Sequence, residues 1–105
     1  MTWETIGTKA ALEGVVTRRN KLRELQGRRA SLENQIREIS VEQDRIRQNM
    51  NGLARESELY KRYVAKLEAQ ETQIEKLREE IARLRDLEND AQKELNAYVQ
   101  KLSFD

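Results

Sequence analysis

Carboxylates and guanidinium groups are the chemically capable side chains of this chain, because the sequence contains neither His nor Cys. Their absence removes the commonest general base, the commonest transition-metal ligand and any thiol nucleophile. The closest approach to a cation site is Glu79 beside Glu80, and Asp86 with Asp90 four residues on. Calcium and magnesium sites need more oxygen ligands, which usually converge from loops. We therefore interpret these carboxylates as a solvated helix face.

Covalent and phosphate chemistry find no better support in the sequence. Serine and threonine are present without His or Cys to activate them, and the four glycines are too scattered to form a phosphate-binding loop. The sequence accordingly predicts no enzyme, no cofactor, no metal site and no small-molecule substrate.

A basic stretch at residues 18–29 is the candidate for contact with a polyanion. It carries six cations against Glu24 alone, namely Arg18, Arg19, Lys21, Arg23, Arg28 and Arg29. A nucleic-acid-contacting helical arm is therefore the alternative function. Nucleic acid is nevertheless the disfavoured partner, because the stretch lacks aromatic side chains for stacking bases and the net charge is only +1.

Composition and spacing together indicate a coiled coil. Charged residues make up 37% and hydrophobic residues 37% of the 105 residues, and proline is absent; ordinary domains are nearer a quarter charged and half apolar. The apolar residues nevertheless recur with heptad spacing. No apolar run approaches the ~18 residues of a membrane span, and the N-terminus lacks the regions of a signal peptide. We expect a soluble chain, cytoplasmic by default and extracytoplasmic if it is part of a longer precursor.

Two heptad series cover the chain. The core positions (a and d) of the first series are Ala11, Val15, Arg18, Leu22, Leu25, Arg29, Leu32, Ile36, Ile39, Gln43, Ile46, Met50 and Leu53. Those of the second series are Tyr60, Tyr63, Leu67, Gln70, Ile74, Leu77, Ile81, Leu84, Glu88, Ala91, Leu95, Tyr98 and Leu102. Because the spacing fails between Leu53 and Tyr60, the two series cannot belong to one unbroken seam.

The residues at the break predict a turn. Gly52 suits a left-handed helix C-cap because it has no Cβ to clash, and Ser57 suits the N-cap of the next helix. We predict a lead-in at 1–7, a first helix at 8–51, a turn at 52–57, a second helix at 58–102 and a tail at 103–105. One continuous helix with a stammer is the alternative. The predicted fold class is all-α, a long antiparallel two-helix coiled-coil hairpin, with dimerisation into a four-helix bundle as a further expectation.

Polar residues at core positions support the hairpin. In the register that the turn favours, Gln43 meets Gln70, where each amide can satisfy the other in a layer that penalises slipped registers. Arg29 and Glu88 fall about one helical turn apart and could form an ion pair, whereas a parallel homodimer would place each of them against its own copy. The basic stretch likewise meets residues 84–95, which carry four acidic side chains.

The first helix is less well patterned than the second, and its N-terminal third is the poorest part. Gly14 and Gly27 lie outside the seam, and each costs ~1 kcal/mol of helix propensity. Arg18 occupies a core position. These residues mark the first helix as the weaker of the two.

Apolar residues outside the seam gather near the two termini. They are Trp3, Ile6, Leu12, Val16, Leu87, Val99 and Phe104. Two helices cannot bury so wide an apolar stripe, and a thin hairpin is itself a marginal fold. The sequence therefore predicts a docking surface at this end, for a second copy or for another domain.

Three segments carry a family resemblance. Residues 41–50 (VEQDRIRQNM), 57–67 (SELYKRYVAKL) and 70–71 (QE) resemble the coiled-coil segment of uncharacterised bacterial proteins of the mucoidy-inhibitor type, over roughly residues 10–102. The resemblance implies a helical piece of a larger protein whose natural neighbour is a β-rich domain, and it brings no catalytic residue or ligand. With the residue patterns, it predicts a non-enzymatic structural or protein-interaction module that serves as a spacer, docking or oligomerisation element.

Overall fold

Two helices account for nearly all of the described chain. A computed structural model describes the backbone of residues 3–102 and the side chains of residues 7–102. Its helices are α1 (Trp3–Met50) and α2 (Glu58–Leu102), joined by residues 51–57. No strand occurs in the described backbone, and the predicted all-α helical hairpin is confirmed.

The bounds of the first helix differ from the prediction. Because α1 begins at Trp3, the lead-in predicted at 1–7 was wrong for residues 3–7. These residues contain no proline, and an interior glycine such as Gly7 costs only ~1 kcal/mol, so nothing stops the helix there. The helix ends at Met50 rather than at residue 51, and α2 has the bounds predicted for it.

The turn closes without the left-handed glycine that we expected at Gly52. No glycine in the described chain has a positive φ. The chain instead tightens through short-range backbone bonds, in which the Leu53 amide donates to the Met50 carbonyl (3.0 Å) and the Ser57 amide to the Ala54 carbonyl (3.1 Å). Bonds of this i→i+3 type satisfy the last carbonyls of a helix without a left-handed residue.

The start of α2 follows the predicted capping chemistry. The Ser57 hydroxyl accepts a hydrogen bond from the backbone amide of Tyr60 at 3.1 Å, which is the N-cap to N3 contact. The Ser57 carbonyl accepts the first helical bond, from Lys61 at 3.2 Å. Glu58 lies in the first turn, where its charge suits the positive end of the helix dipole.

The chain divides into two compact units, each built from one stretch of both helices. The terminal unit consists of Met1–Arg29 with Arg83–Asp105, and the turn unit is Ala30–Ala82. The buried residues of the terminal unit are Leu22, Leu25, Leu84, Glu88, Ala91 and Leu95. Those of the turn unit are Gln43, Ile46, Ile74 and Ile81. All of these residues lie at predicted a or d positions, so the heptad assignment identified the core of each unit.

Candidate functional site

Tyr98 packs directly against the backbone of α1 in the terminal unit. A Cβ built on Gly14 would lie 2.0 Å from the Tyr98 Oη and 2.4 Å from its Cζ, so only a glycine leaves room for the ring. The Tyr98 hydroxyl points to the Ala11 carbonyl at 3.4 Å, longer than an ordinary O–H···O hydrogen bond. Packing at Gly14 rather than hydrogen bonding therefore positions the ring.

Arg18 completes this contact, which we call the tyrosine clamp (Gly14, Arg18, Glu94 and Tyr98). Its guanidinium carbon lies 3.8 Å from the centroid of the Tyr98 ring, a cation–π arrangement. Its Nη1 donates to the Gly14 carbonyl at 3.1 Å. Its buried Nε has no hydrogen bond but lies 3.7 Å from Glu94 Oε1. A charged residue at a core position is thus held by an aromatic face, a carbonyl and a carboxylate.

Sequence reasoning missed the role of Gly14 in this clamp. We interpreted it as a weakness of the first helix, yet it is the residue that admits the Tyr98 ring. The available signal was a glycine at the flanking g position with an arginine one turn later and a tyrosine on the other helix. Gly27, in contrast, would meet nothing within 4 Å if it carried a Cβ.

Arg29 and Glu88 form a two-bond ion pair in the seam of the terminal unit. The Arg29 Nε donates to Glu88 Oε2 at 2.6 Å, and Nη2 donates to Oε1 at 3.1 Å. The planar guanidinium matches the carboxylate in this geometry, which fixes orientation as well as charge. The Glu88 side chain is only 11% exposed and that of Arg29 27%. The pair therefore specifies which turns of the two helices meet in this unit.

The polar layer of the turn unit differs from the prediction. The buried Gln43 donates from Nε2 to Glu71 Oε1 at 3.0 Å, so the expected amide–amide contact with Gln70 was wrong. A carboxylate is the stronger acceptor, and Glu71 reaches Gln43 from the edge of the seam. Gln70 is left with a buried Oε1 that has no hydrogen-bond partner.

A groove of about 430 Å³ lies beside the turn. It is lined by Arg47, Met50, Asn51, Leu53, Arg55, Tyr60 and Leu67. Arg47 is engaged with Asp44 at 3.3 Å. The lining of this groove contains no carboxylate, so the groove offers no acid–base pair.

The predicted docking residues that the structure describes are exposed. The exposed fractions are 61% for Leu12, 54% for Val16, 50% for Leu87 and 45% for Val99, and all four belong to the terminal unit. The other large apolar residues exposed in the described chain are Val41 and Leu59, in the turn unit. The side chains of Trp3 and Ile6, and the whole of Phe104, lie outside the described residues.

Intramolecular ion pairs engage half of the cations of the basic stretch. Arg18 and Lys21 both approach Glu94, at 3.7 Å each, and Arg29 is held by Glu88. The acidic counterpart that the hairpin register implied is therefore present within the terminal unit. Arg19, Arg23 and Arg28 have neither an ion pair nor a hydrogen bond to the described residues.

The remaining carboxylates do not converge. Glu79, Asp86 and Asp90 are exposed, and among the described residues no three acidic side chains are placed to hold a metal ion. Neither helix, over its described length, is apolar enough to cross a membrane.

Comparison with protein-family models, with curated proteins and with solved structures finds no match for this chain.

Proposed function

We propose that the chain is a non-enzymatic protein-interaction module, a helical hairpin that serves as a spacer, docking or oligomerisation element through its terminal unit. The observation that carries this proposal is the concentration of exposed leucine and valine side chains there (Leu12, Val16, Leu87 and Val99). Leu12, Val16 and Val99 lie on one side of the seam and Leu87 on the other, and exposed apolar patches on proteins mark interaction sites. The partner is a second copy or, as the mucoidy-inhibitor resemblance suggests, a β-rich domain of a larger bacterial protein.

The polar contacts of the terminal unit support a docking role because they fix its shape. The tyrosine clamp and the Arg29–Glu88 pair each constrain the placement of α1 against α2. A surface held by such contacts pays less conformational entropy on binding than a mobile one. The nucleic-acid alternative is weakened by the same contacts, because Arg18, Lys21 and Arg29 are already paired.

Sedimentation equilibrium over a range of concentrations tests the proposal. We expect the wild-type chain to self-associate and a variant with Leu12, Val16, Leu87 and Val99 all changed to Gln to remain monomeric. The matched control changes Val41 and Leu59 to Gln, which removes exposed apolar residues from the turn unit only.

The β-rich neighbour needs a second measurement. If the parent protein supplies the partner, adding the flanking sequence should raise the melting temperature of the wild-type hairpin more than that of the Gln variant. A wild-type chain that is monomeric at all concentrations and gains no thermal stability from its flanks would remove the proposal.

A further inference from the structure

The exposed residues of the terminal unit divide into two flanks of different charge. Lys21 and Glu94, both at heptad g positions, lie 3.7 Å apart. The g side chains of the two helices therefore share one flank of the seam, and the e side chains share the other, as in antiparallel coiled coils. The g flank mixes both signs of charge.

The e flank carries no acidic residue among the described side chains. With the adjoining b positions, it consists of Lys9, Leu12, Val16, Arg19, Arg23 and Gln26 on α1 and Arg85, Asn89, Gln92, Asn96 and Val99 on α2. Every one of these residues is exposed. We call this surface the acid-free flank. It combines three of the four exposed apolar residues of the unit with the unpaired guanidinium groups of Arg19 and Arg23.

The complementary surface occurs on α2 within the turn unit. Glu68, Glu71 and Glu75 follow one another at intervals of three and four residues and are exposed, so they form one acidic stripe on the helix. The half-buried Val64 continues the stripe one turn earlier. The carboxylates of Glu68 and Glu75 have no ion pair or hydrogen bond within the described chain.

We propose that the acid-free flank of one copy docks on the acidic stripe of a second copy. When the two helices run parallel, Val16 meets Val64, Arg19 meets Glu68 and Arg23 meets Glu71, because both segments span seven residues, roughly 10 Å along a helix. Opposite charges across an interface set register and partner choice. Each copy carries both surfaces, so a second copy supplies the complement of either one.

Two other occupants fit the flank less well. The same flank of a second copy would bring Arg19 and Arg23 against their own counterparts, which like-charge repulsion opposes. A nucleic acid would suit the guanidinium groups but would leave Leu12, Val16 and Val99 against phosphates, and the flank has no aromatic side chain for stacking bases. This inference rests on the proposed interaction function and names its partner.

A charge-reversal pair tests the contact. One variant carries Arg19→Glu and the other Glu68→Arg; the Arg23–Glu71 pair is left intact in both, because Glu71 accepts the hydrogen bond from Gln43. Each variant alone places like charges at the Arg19–Glu68 contact, so we expect self-association to weaken on the order of tenfold. In an equimolar mixture, opposite charges again meet at positions 19 and 68 of the two variants, and a mixed complex should form in sedimentation equilibrium.

The control pair makes the same net charge changes elsewhere. One control carries Arg28→Glu and the other Glu79→Arg, both at exposed positions. Both controls should self-associate as the wild type does, with no preference for the mixture. Circular dichroism should show the same helix content in all four variants, so that lost association is not lost folding.

Three results would overturn the inference. They are wild-type self-association in either charge-reversed variant, no recovery in their mixture, or the same loss and recovery in the control pair. Binding of a DNA duplex that is lost on Arg19→Glu, together with no recovery in the mixture, would assign the flank to nucleic acid. If association instead depends on the apolar residues while charge reversal leaves it unchanged, the proposed function stands and this contact falls.

Discussion

The terminal unit and the turn unit both place polar residues in their seams, and they satisfy those residues to different degrees. In the terminal unit, Arg29 and Glu88 make two direct bonds, and Arg18, whose buried Nε has no hydrogen bond, still donates from Nη1 to the Gly14 carbonyl and lies 3.7 Å from Glu94. In the turn unit, Gln43 finds Glu71, but the Oε1 of Gln70 is buried without a partner. Long charged side chains can reach hydrogen-bonding groups at the edge of a seam. A glutamine that faces the other helix has fewer such groups within its reach. The difference predicts where substitution costs stability and where it adds some.

Gly14→Ala should have the largest effect, because it directly opposes the packing of Tyr98. The added Cβ would lie 2.0 Å from the ring hydroxyl, so the ring must leave and its contact with Arg18 is lost. We expect a loss of about 1–3 kcal/mol in the free energy of unfolding, the range for overpacked sites. Denaturant unfolding at fixed protein concentration measures it.

The matched control is Gly27→Ala, where a Cβ meets nothing within 4 Å. It should stabilise the chain by roughly 0.5–1 kcal/mol through helix propensity. In a Tyr98→Ala background, Gly14→Ala should also become neutral or stabilising. A Gly14→Ala loss that persists without the tyrosine ring would show that the clamp is not its cause.

Glu88→Leu should destabilise the terminal unit by leaving Arg29 without its carboxylate. We expect about 1–3 kcal/mol, less than for a fully buried pair, because the Arg29 side chain is 27% exposed and can turn toward water. Adding Arg29→Leu should recover most of this loss, since two apolar residues can replace an ion pair in a seam. Thermal unfolding of both variants measures these changes. A double variant that is less stable than Glu88→Leu alone would contradict this account.

The sequence predicted the core better than the contacts around it. Heptad spacing identified every buried residue of the described chain, because burial in a two-helix seam depends only on which side of the helix a residue occupies. It also placed Arg29 near Glu88. Heptad spacing alone does not distinguish Gln70 from Glu71 as the partner of Gln43. The positions of two adjacent residues on a helix differ by less than the length of a glutamine or glutamate side chain. Nor could heptad spacing show that Gly14 faces Tyr98. Whether a helix position requires glycine depends on which side chain of the other helix packs against it.

Gln70→Leu should stabilise the turn unit, in contrast to substitutions in the terminal seam. It removes a buried carbonyl that has no hydrogen-bond partner and adds apolar surface at a d position. A buried unsatisfied polar group costs about 1–3 kcal/mol, so a gain of about 1 kcal/mol is expected. Gln43→Leu is the comparison, because it removes a satisfied amide bonded to Glu71. Equal gains from the two variants would show that the two glutamines do not differ as described.

The turn should be sensitive at Ser57 and tolerant at Gly52. Ser57→Ala removes the hydroxyl that accepts the Tyr60 amide and should cost about 1 kcal/mol of stability. Gly52→Ala should be neutral or slightly stabilising, because Gly52 has no positive φ and a Cβ there meets nothing within 4 Å. Melting temperatures of the two variants test this. A large drop in the melting temperature of Gly52→Ala would indicate that Gly52 is the left-handed cap that the sequence predicted.

The smallest expected effect is a pH dependence at the edge of the turn unit. The Lys66 ammonium, 2.6 Å from Glu42, holds the pKa of that carboxyl below its ordinary value of 4.5. The folded state therefore binds this proton less readily than the unfolded state. The resulting stabilisation is present above about pH 4.5 and is lost as the pH falls through the lowered pKa. Because Glu42 is solvated, this contribution should be small.

Comparing wild type with Glu42→Gln between neutral pH and about pH 3 isolates this contribution. The stability difference should shrink as the pH falls below 4.5. The same comparison in a Lys66→Met background should show a weaker trend, because the largest cause of the shift is then gone. If the pH dependence of this stability difference is the same in the Lys66→Met background, groups other than Lys66 cause it. The Lys66–Glu42 pair then adds nothing to the stability of the turn unit.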